Sequence, residues 1–341
     1  MTTSNHAEIT AVGIGSAGSK IVSLLSRKAS QIDRFAYVSC DEGDFADAPG
    51  EKIFIESPVD QKLTPSMVRG LSIGARSRIK YALTGSKVVF VVAGLGGATG
   101  SGLAPVVASI ANDCGATTVG VAVMPFDFEK KMKFHAGVSL RRLRTASRGV
   151  IVIDNDTLMR SAPEDSTLMG MHDSANREAV KALGSLLSKS SEKSLSVGIN
   201  KLLGTVLQEG YSLLGVSSSD APDKAEDALA GAVVSLAKLA AAKEANHAVV
   251  MLNCDSSLSG HEVGLAVKRL GSMMNNQAVD VEYGVDYSGT GQLQVSLLAS
   301  GFTSTKFDDY DPIDRALGGR VIDDEMDTSL FEGLELLQSC D

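Results

Sequence analysis

The sequence predicts an α/β fold: a doubly wound parallel sheet, a central helix, and a smaller α+β unit behind it. Three observations carry this expectation. Short apolar, β-branched runs alternate with helical-period runs through the first half of the chain. Strands alternating with helices argue for a parallel sheet. Two glycine-rich turns, GIGSAGSK and GLGGATGSG, each join a strand to a helix. Beyond a long helical stretch, a second series mixes strands with two further helices.

In order, Glu8 to Val12 reads as a strand, followed by the first glycine turn and an amphipathic helix from Ile21 to Arg27. Phe35 to Ser39 is a second strand, ending at Cys40 and Asp41, and Lys52 to Glu56 a short third. Val68 to Leu83 reads as one helix, and Val88 to Ala93 as a buried strand. Leu103 to Asp113 is helical, Thr117 to Met124 is a strand stopped by Pro125, and His135 to Thr145 is an arginine-rich helix. Gly149 to Ile153 closes the series. Arg160 to His172 reads as a loop, and Ser174 to Ser188 as a helix packed between domains, with Ala175, Ala179, Leu183, Leu186 and Leu187 at helical spacing. Lys189 to Asn200 reads as a linker. From Gln208 to Phe302 the pattern is strand, helix, strand, helix, strand, strand, expected as a mixed sheet with two helices. The expected division is 8–172 for the first domain, 173–207 for the central helix and following loop, 208–302 for the second domain, and 303–341 for an acidic tail.

Composition narrows the function classes. Hydrophobic content of 44% is enough for real cores and too much for disorder. No apolar run reaches the ~18–20 residues needed to cross a bilayer, so no membrane insertion is expected. The N-terminus MTTSNHAEIT lacks a signal-peptide pattern. The four cysteines lie far apart without metal-ligand spacing, which suggests reduced thiols in the cytoplasm and no protein-held metal. The five histidines form no cluster. Net charge is -9, and from Thr303 onward eleven acids face three bases. Such a chain is a poor partner for nucleic-acid phosphates. The tail run DTSLFEGLELLQ has a capping-box pattern at Ser329 and Glu332, with Leu330, Leu334 and Leu337 on one helical face. That pattern suits either a peptide docking a partner protein or a helix docked on its own body.

The glycine turns point to an anion. Glycines let the backbone approach a bulky ligand, and a helix N-terminus behind them offers unpaired N–H groups and a partial positive charge. Gly13, Gly15 and Gly18 form G-x-G-x-x-G, with Asp41 at the end of the next strand, a passable dinucleotide fingerprint. An NAD-dependent enzyme is therefore one reading. The second turn is unexplained by it, and it is not a Walker loop, since Leu103 and Ala104 follow Gly102. Two turns on two strands of one sheet could instead wrap a polyphosphate, with Ser16, Thr99 and Ser101 adding hydroxyls.

The run GLGGATGSGLAPVVASIA resembles the glycine signature of the tubulin/FtsZ superfamily in its FtsZ form. PFDFE, IDNDTL, SLLGVSSSDAPDKAEDALAGAV and VVMLNCD…QVSLLASGF resemble later family segments in order, so the likeness runs from about Ile9 to Phe302. It implies a GTP-binding parallel-sheet domain. Gly15, Ser16, Ala17, Gly18 and Lys20 then fall on the first phosphate loop, and Gly96, Gly97, Ala98, Thr99, Gly100, Ser101 and Gly102 on the main one. Glu129 falls where a carboxylate meets the ribose, Asn155 on a guanine-contacting asparagine, and Asn176 where the central helix reads the base edge. The arginine that follows Glu129 in the family corresponds to Lys131 or Lys133, or is replaced by Met132. The implied ligands are GTP and GDP, with Mg2+ brought in by the nucleotide phosphates.

The likeness breaks at one loop. The family completes hydrolysis with carboxylates from a neighbouring subunit, in the pattern N-x-D-x-x-D. Here SVGINK puts Gly198 and Lys201 at the two carboxylate positions and leaves Asn200 between them. A positioned base contributes ~10²–10⁴-fold, so hydrolysis is expected to be slow or absent. Gln61 to Arg76, where the family has a further glycine-rich loop near the γ-phosphate, has no glycine run. The resemblance implies filament formation by self-association or co-polymerisation with a related subunit in cell division. The alternatives are a non-polymerising GTP-binding regulator and the NAD enzyme.

Overall fold

The computed structural model describes residues 8–57, 62–159, 167–221, 223–255, 258–289 and 292–311. In chain order the elements are β1 (Ile9–Ile14), α1 (Gly15–Leu25), β2 (Arg34–Ser39), β3 (Glu51–Phe54), α2 (Pro65–Ser72), α3 (Arg76–Leu83), β4 (Val88–Gly94), α4 (Ala98–Asp113), β5 (Thr117–Met124), α5 (Lys130–Thr145), β6 (Gly149–Asp154), α6 (Asn155–Leu158) and α7 (Leu168–Leu186). There follow β7 (Ser194–Leu195), α8 (Ile199–Val206), β8 (Tyr211–Ser219), α9 (Lys224–Ala237), β9 (His247–Asn253), α10 (Gly260–Met273), β10 (Asp280–Asp286) and β11 (Leu293–Phe302).

The central strands are buried on both faces, as parallel strands flanked by helices must be. Along β4, Val88, Phe90 and Val92 face one core while Val89, Val91 and Ala93 face the other. This is the period-two alternation of a strand. One core is capped by α1 and α7, the other by α2 to α5 in the first half and by α9 and α10 in the second. The strand order is β3-β2-β1-β4-β5-β6-β8-β11-β9-β10-β7. From β3 to β6 all pairs are parallel. The two halves join by two parallel rungs, Ile151 with Ser212 and Val152 with Leu213. The second half is the expected mixed sheet: β11 runs antiparallel to β8 and β9, and β10 parallel to β9.

Several boundaries differ from the sequence reading. The helix expected over Val68–Leu83 is two helices split by a 3-10 turn at Ile73–Ala75. The arginine-rich helix begins at Lys130 rather than His135. The first helix begins at Gly15, so part of the first glycine turn is itself its opening turn. The central helix begins at Leu168, capped by the Thr167 hydroxyl accepting from Gly170 N–H, which takes in residues expected as loop. The expected linker carries β7, and α8 starts inside its last residues. Beyond β11, residues 303–311 continue the fold: a 3-10 turn at Lys306–Tyr310 lies on α5 and buries Phe307 and Tyr310. The tail helix expected over Asp327–Gln338 lies outside the described residues. Among the described residues no helix is long and apolar enough to cross a membrane.

Candidate functional site

The two glycine turns meet. β1 and β4 are adjacent parallel strands with Ile14 opposite Ala93, so both turns leave the same end of the sheet. The chain order runs outward from this pair, towards β2 on one side and β5 on the other. Ligands in open α/β sheets collect at such a switch point. A Cβ on Gly15, whose φ is 63°, would lie 3.2 Å from the Thr99 Cβ. A Cβ on Gly94 would lie 2.8 Å from that of Ala17.

Both helices open without a side-chain cap, on Ile14 and Gly97, and neither has an acid in its first turn. Among the described residues, no N-cap side chain satisfies their first N–H groups and no first-turn acid offsets the positive ends of their dipoles. Ser16 and Gly97 are exposed, Ala17, Ala98 and Thr99 half-buried, and Gly18, Gly96, Gly100, Ser101 and Gly102 buried. A Cβ on Gly97 would meet nothing within 4 Å, so open space lies over the second turn. The Ser101 hydroxyl accepts from Gly96 N–H at 2.8 Å, which shapes the loop and leaves its own O–H to donate. Gly102 packs on α2: a Cβ there would stand 2.7 Å from the Pro65 carbonyl oxygen.

Other predicted residues gather along the same edge. Lys20 reaches α7 through Asp173 at 3.3 Å. Glu129 is nearly buried, accepting from Phe126 N–H at 2.9 Å and facing His172 Nε2 at 3.2 Å. Phe126 packs edge-on against His172 and stacks on Phe128. Asn155 and Asn176 are both buried, on α6 and α7, which touch. Asn155 Oδ1 has no hydrogen-bond partner among the described residues. A buried orphan acceptor costs on the order of 1–3 kcal/mol, which a ligand donor would recover.

The cationic candidates after Glu129 separate. Lys133 turns away to Asp127 at 2.8 Å and lies over the Tyr310 ring. Lys131 is exposed, and Met132 packs at Gly96. Gly198, Asn200 and Lys201 are elsewhere. Gly198 is the N-cap of α8, and Lys201 Nζ pairs with Glu282 at 2.7 Å. That region meets the opposite end of the sheet, where Gln31, between α1 and β2, donates to the Ser188 and Val197 carbonyls. Asp41, the acid a dinucleotide would need, instead caps a 3-10 turn by accepting from Gly43 N–H at 2.9 Å.

His172, Asp173 and Asp154 were not singled out from sequence. Asn176 follows His172 by four residues and Asp173 by three, the spacings of neighbours on a helix surface, a signal visible once the helix is extended to Leu168. A separate cleft, lined by Lys28, Glu178, Lys181, Asn253, Asp286 and Gln294, holds none of the predicted residues.

Residues 69–163 match the model described as "Tubulin/FtsZ family, GTPase domain". The matched stretch contains the whole second glycine turn and Asn155. The chain is thus similar to the tubulin/FtsZ superfamily, in sequence over its GTPase-domain stretch and in fold over most of its length. It is 30% identical over 234 residues to a cell division protein FtsZ of Buchnera aphidicola subsp. Acyrthosiphon pisum, covering 66% of this chain and 60% of that relative's length. A second Buchnera FtsZ, of subsp. Schizaphis graminum, is 28% identical over 319 residues, covering 90% and 82%. The empty FtsZ dimer of M. jannaschii superposes with a TM-score of 0.75 at 25% identity, covering 86% of this chain and 88% of that one. The GTPγS-bound CetZ2 protofilament of Haloferax volcanii shares the fold, with a TM-score of 0.73 at 22% identity over 91% and 99%. The tubulin/FtsZ architecture thus extends over both halves of the sheet.

Proposed function

We propose that this chain binds a guanine nucleotide at the joined glycine turns and acts as a cytoskeletal protein of the tubulin/FtsZ kind. The observation that supports this best is the pair of uncapped, acid-free helix N-termini meeting through Gly15 and Thr99. The phosphates lie against the backbone N–H groups of Gly15 to Gly18 and Gly96 to Gly102, with Lys20 at their edge. Glu129 faces the ribose, and Asn155 and Asn176 the base; an amide offers guanine both a donor and an acceptor. Mg2+ enters with the nucleotide phosphates.

Subunits associate head to tail, with the α8 end of one copy on the glycine end of the next. Gly198 and Lys201 then bring no carboxylate to the attacking water, and hydrolysis is slow unless a related subunit supplies that loop. The tail from Asp323 docks a partner protein. A second reading, a nucleotide-binding regulator that does not polymerise, draws on the same loop, where Lys201 pairs with Glu282 at 2.7 Å in place of a catalytic carboxylate.

The test is to identify the small molecule that copurifies with the chain and to titrate guanosine and adenosine nucleotides by calorimetry. Indifference to guanosine phosphates would end the first reading. Electron microscopy with GTP, alone and with related subunits, separates filament from regulator.

A further inference from the structure

Asp154, at the end of β6, has a completely buried side chain. Its Oδ2 accepts from Lys306 Nζ at 3.0 Å, and its Oδ1 has no partner among the described residues. Lys306 comes from the segment after β11. The same ammonium lies 4.0 Å from Asp127, which also accepts from Tyr310 Oη at 3.1 Å. Asp127 N–H in turn donates to Asp156 at 2.8 Å. Asp154 and Asp156 flank Asn155, and Asp127 stands two residues before Glu129. One lysine therefore ties together the two loops that carry the candidate base and ribose contacts.

The segment has its own anchors. Thr305 and Asp308 form a capping box, and Lys306 N–H donates to the Leu239 carbonyl at 2.8 Å. Arg141 Nε reaches Asp311 at 3.0 Å. Its backbone lies so close to α5 that a Cβ on Gly137 would come within 2.6 Å of the Tyr310 carbonyl carbon.

We propose that Thr305–Asp311 is a strap that sets the base end of the nucleotide site, with Lys306 the positioning residue that holds Asn155 and Glu129 through Asp154 and Asp127. This rests on the guanine reading above. The chemistry is that of a buried carboxylate, which is stable as an anion only beside a cation. Lys306, Asp127 and Asp156 face Asp154, with Lys133 and Tyr310 behind Asp127. Burial, then the two neighbouring acids, push the Asp154 carboxyl up to about 6 against the pull of Lys306. Below that pH Asp154 takes a proton and releases Lys306.

The experiment compares the full chain with Lys306→Met, Lys306→Arg and Gly137→Ala by two measurements. The first is binding of N-methylanthraniloyl-GDP at pH values on either side of 6. The second is amide hydrogen exchange. Wild-type affinity falls as pH drops through about 6. Lys306→Met binds roughly tenfold more weakly at neutral pH, and its midpoint moves up because the cation that held it down is gone. Lys306→Arg restores both. In Lys306→Met and Gly137→Ala, exchange rises at Asn155–Leu158 while the two glycine turns stay unchanged. If the wild type ignores the guanosine probe but exchange still rises there selectively, the strap stands and the guanine reading falls. Unchanged exchange at Asn155–Leu158 in both variants overturns the strap, whatever the nucleotide does.

Discussion

Gly15 and Thr99 close the gap between the two glycine turns: a Cβ on the first would stand 3.2 Å from that of the second. Eighty-odd residues separate them in the chain. The mouth is therefore built by strand pairing, and the glycines within it have unequal tasks.

Gly97 and Gly100 separate those tasks. A Cβ on Gly97 meets open space, whereas one on Gly100 would stand 2.1 Å from the Gly94 carbonyl oxygen. Gly97→Ala should change stability by less than ~0.5 kcal/mol yet weaken guanosine-nucleotide binding, because its methyl enters the mouth. Gly100→Ala should cost on the order of 1–3 kcal/mol, since backbone must move. Urea unfolding and nucleotide titration of both variants check this; equal stability losses would contradict it.

Lys20 and Asp173 are each about half exposed, at 51% and 44%. Such a pair contributes under ~1 kcal/mol. Lys20→Ala should therefore melt close to the wild type. Its nucleotide affinity should nonetheless fall roughly tenfold, the scale of one charge-assisted hydrogen bond. Asp173→Asn should fall less. Calorimetry on the two variants decides, and equal effects would mean that Lys20 serves only its ion pair.

Phosphate release from GTP should be slower than in relatives with a complete loop by ~10²–10⁴-fold, the usual contribution of a positioned base. Steady-state release by the purified chain is the measurement. Turnover at ordinary family rates would defeat this prediction.

Asp154 predicts a signed pH effect on stability. The native carboxyl holds its proton to about 6, while the unfolded one releases it near ~4. Between these values the native state binds more protons, so this group's contribution to stability falls as pH rises and is fully lost above 6. Asp154→Asn lacks the effect. From pH ~4 to ~6 the stability difference should drift in favour of the variant, by up to ~3 kcal/mol. Urea midpoints at several pH values measure it, and a flat difference would refute the assignment.

The strands and both glycine turns were legible because their signals are local: β-branched runs, then glycines, then helical spacing. The helix α8 was missed although Ile199, Leu202, Leu203 and Val206 fall at i, i+3, i+4 and i+7, because it is only eight residues long and its start lies in the run Lys189–Asn200 that reads as linker. The break at Ile73–Ala75 was marked only by the single glycines Gly70 and Gly74, which a helix tolerates, with no proline or glycine pair to end it. Asp154 lies one residue past the expected end of its strand at Ile153 and was not singled out. Its burial depends on Lys306, 152 residues away, and no local pattern encodes such a partner.

That distance also orders events during synthesis. When the ribosome has made β6, the nascent chain carries an acid destined for the interior with no cation to meet it. Half the molecule must still emerge before Lys306 arrives. Until then the carboxyl stays hydrated or protonated, and the neighbouring loops cannot settle. The pairing of Asp154 with Lys306 is thus complete only once translation has reached the segment beyond the last strand.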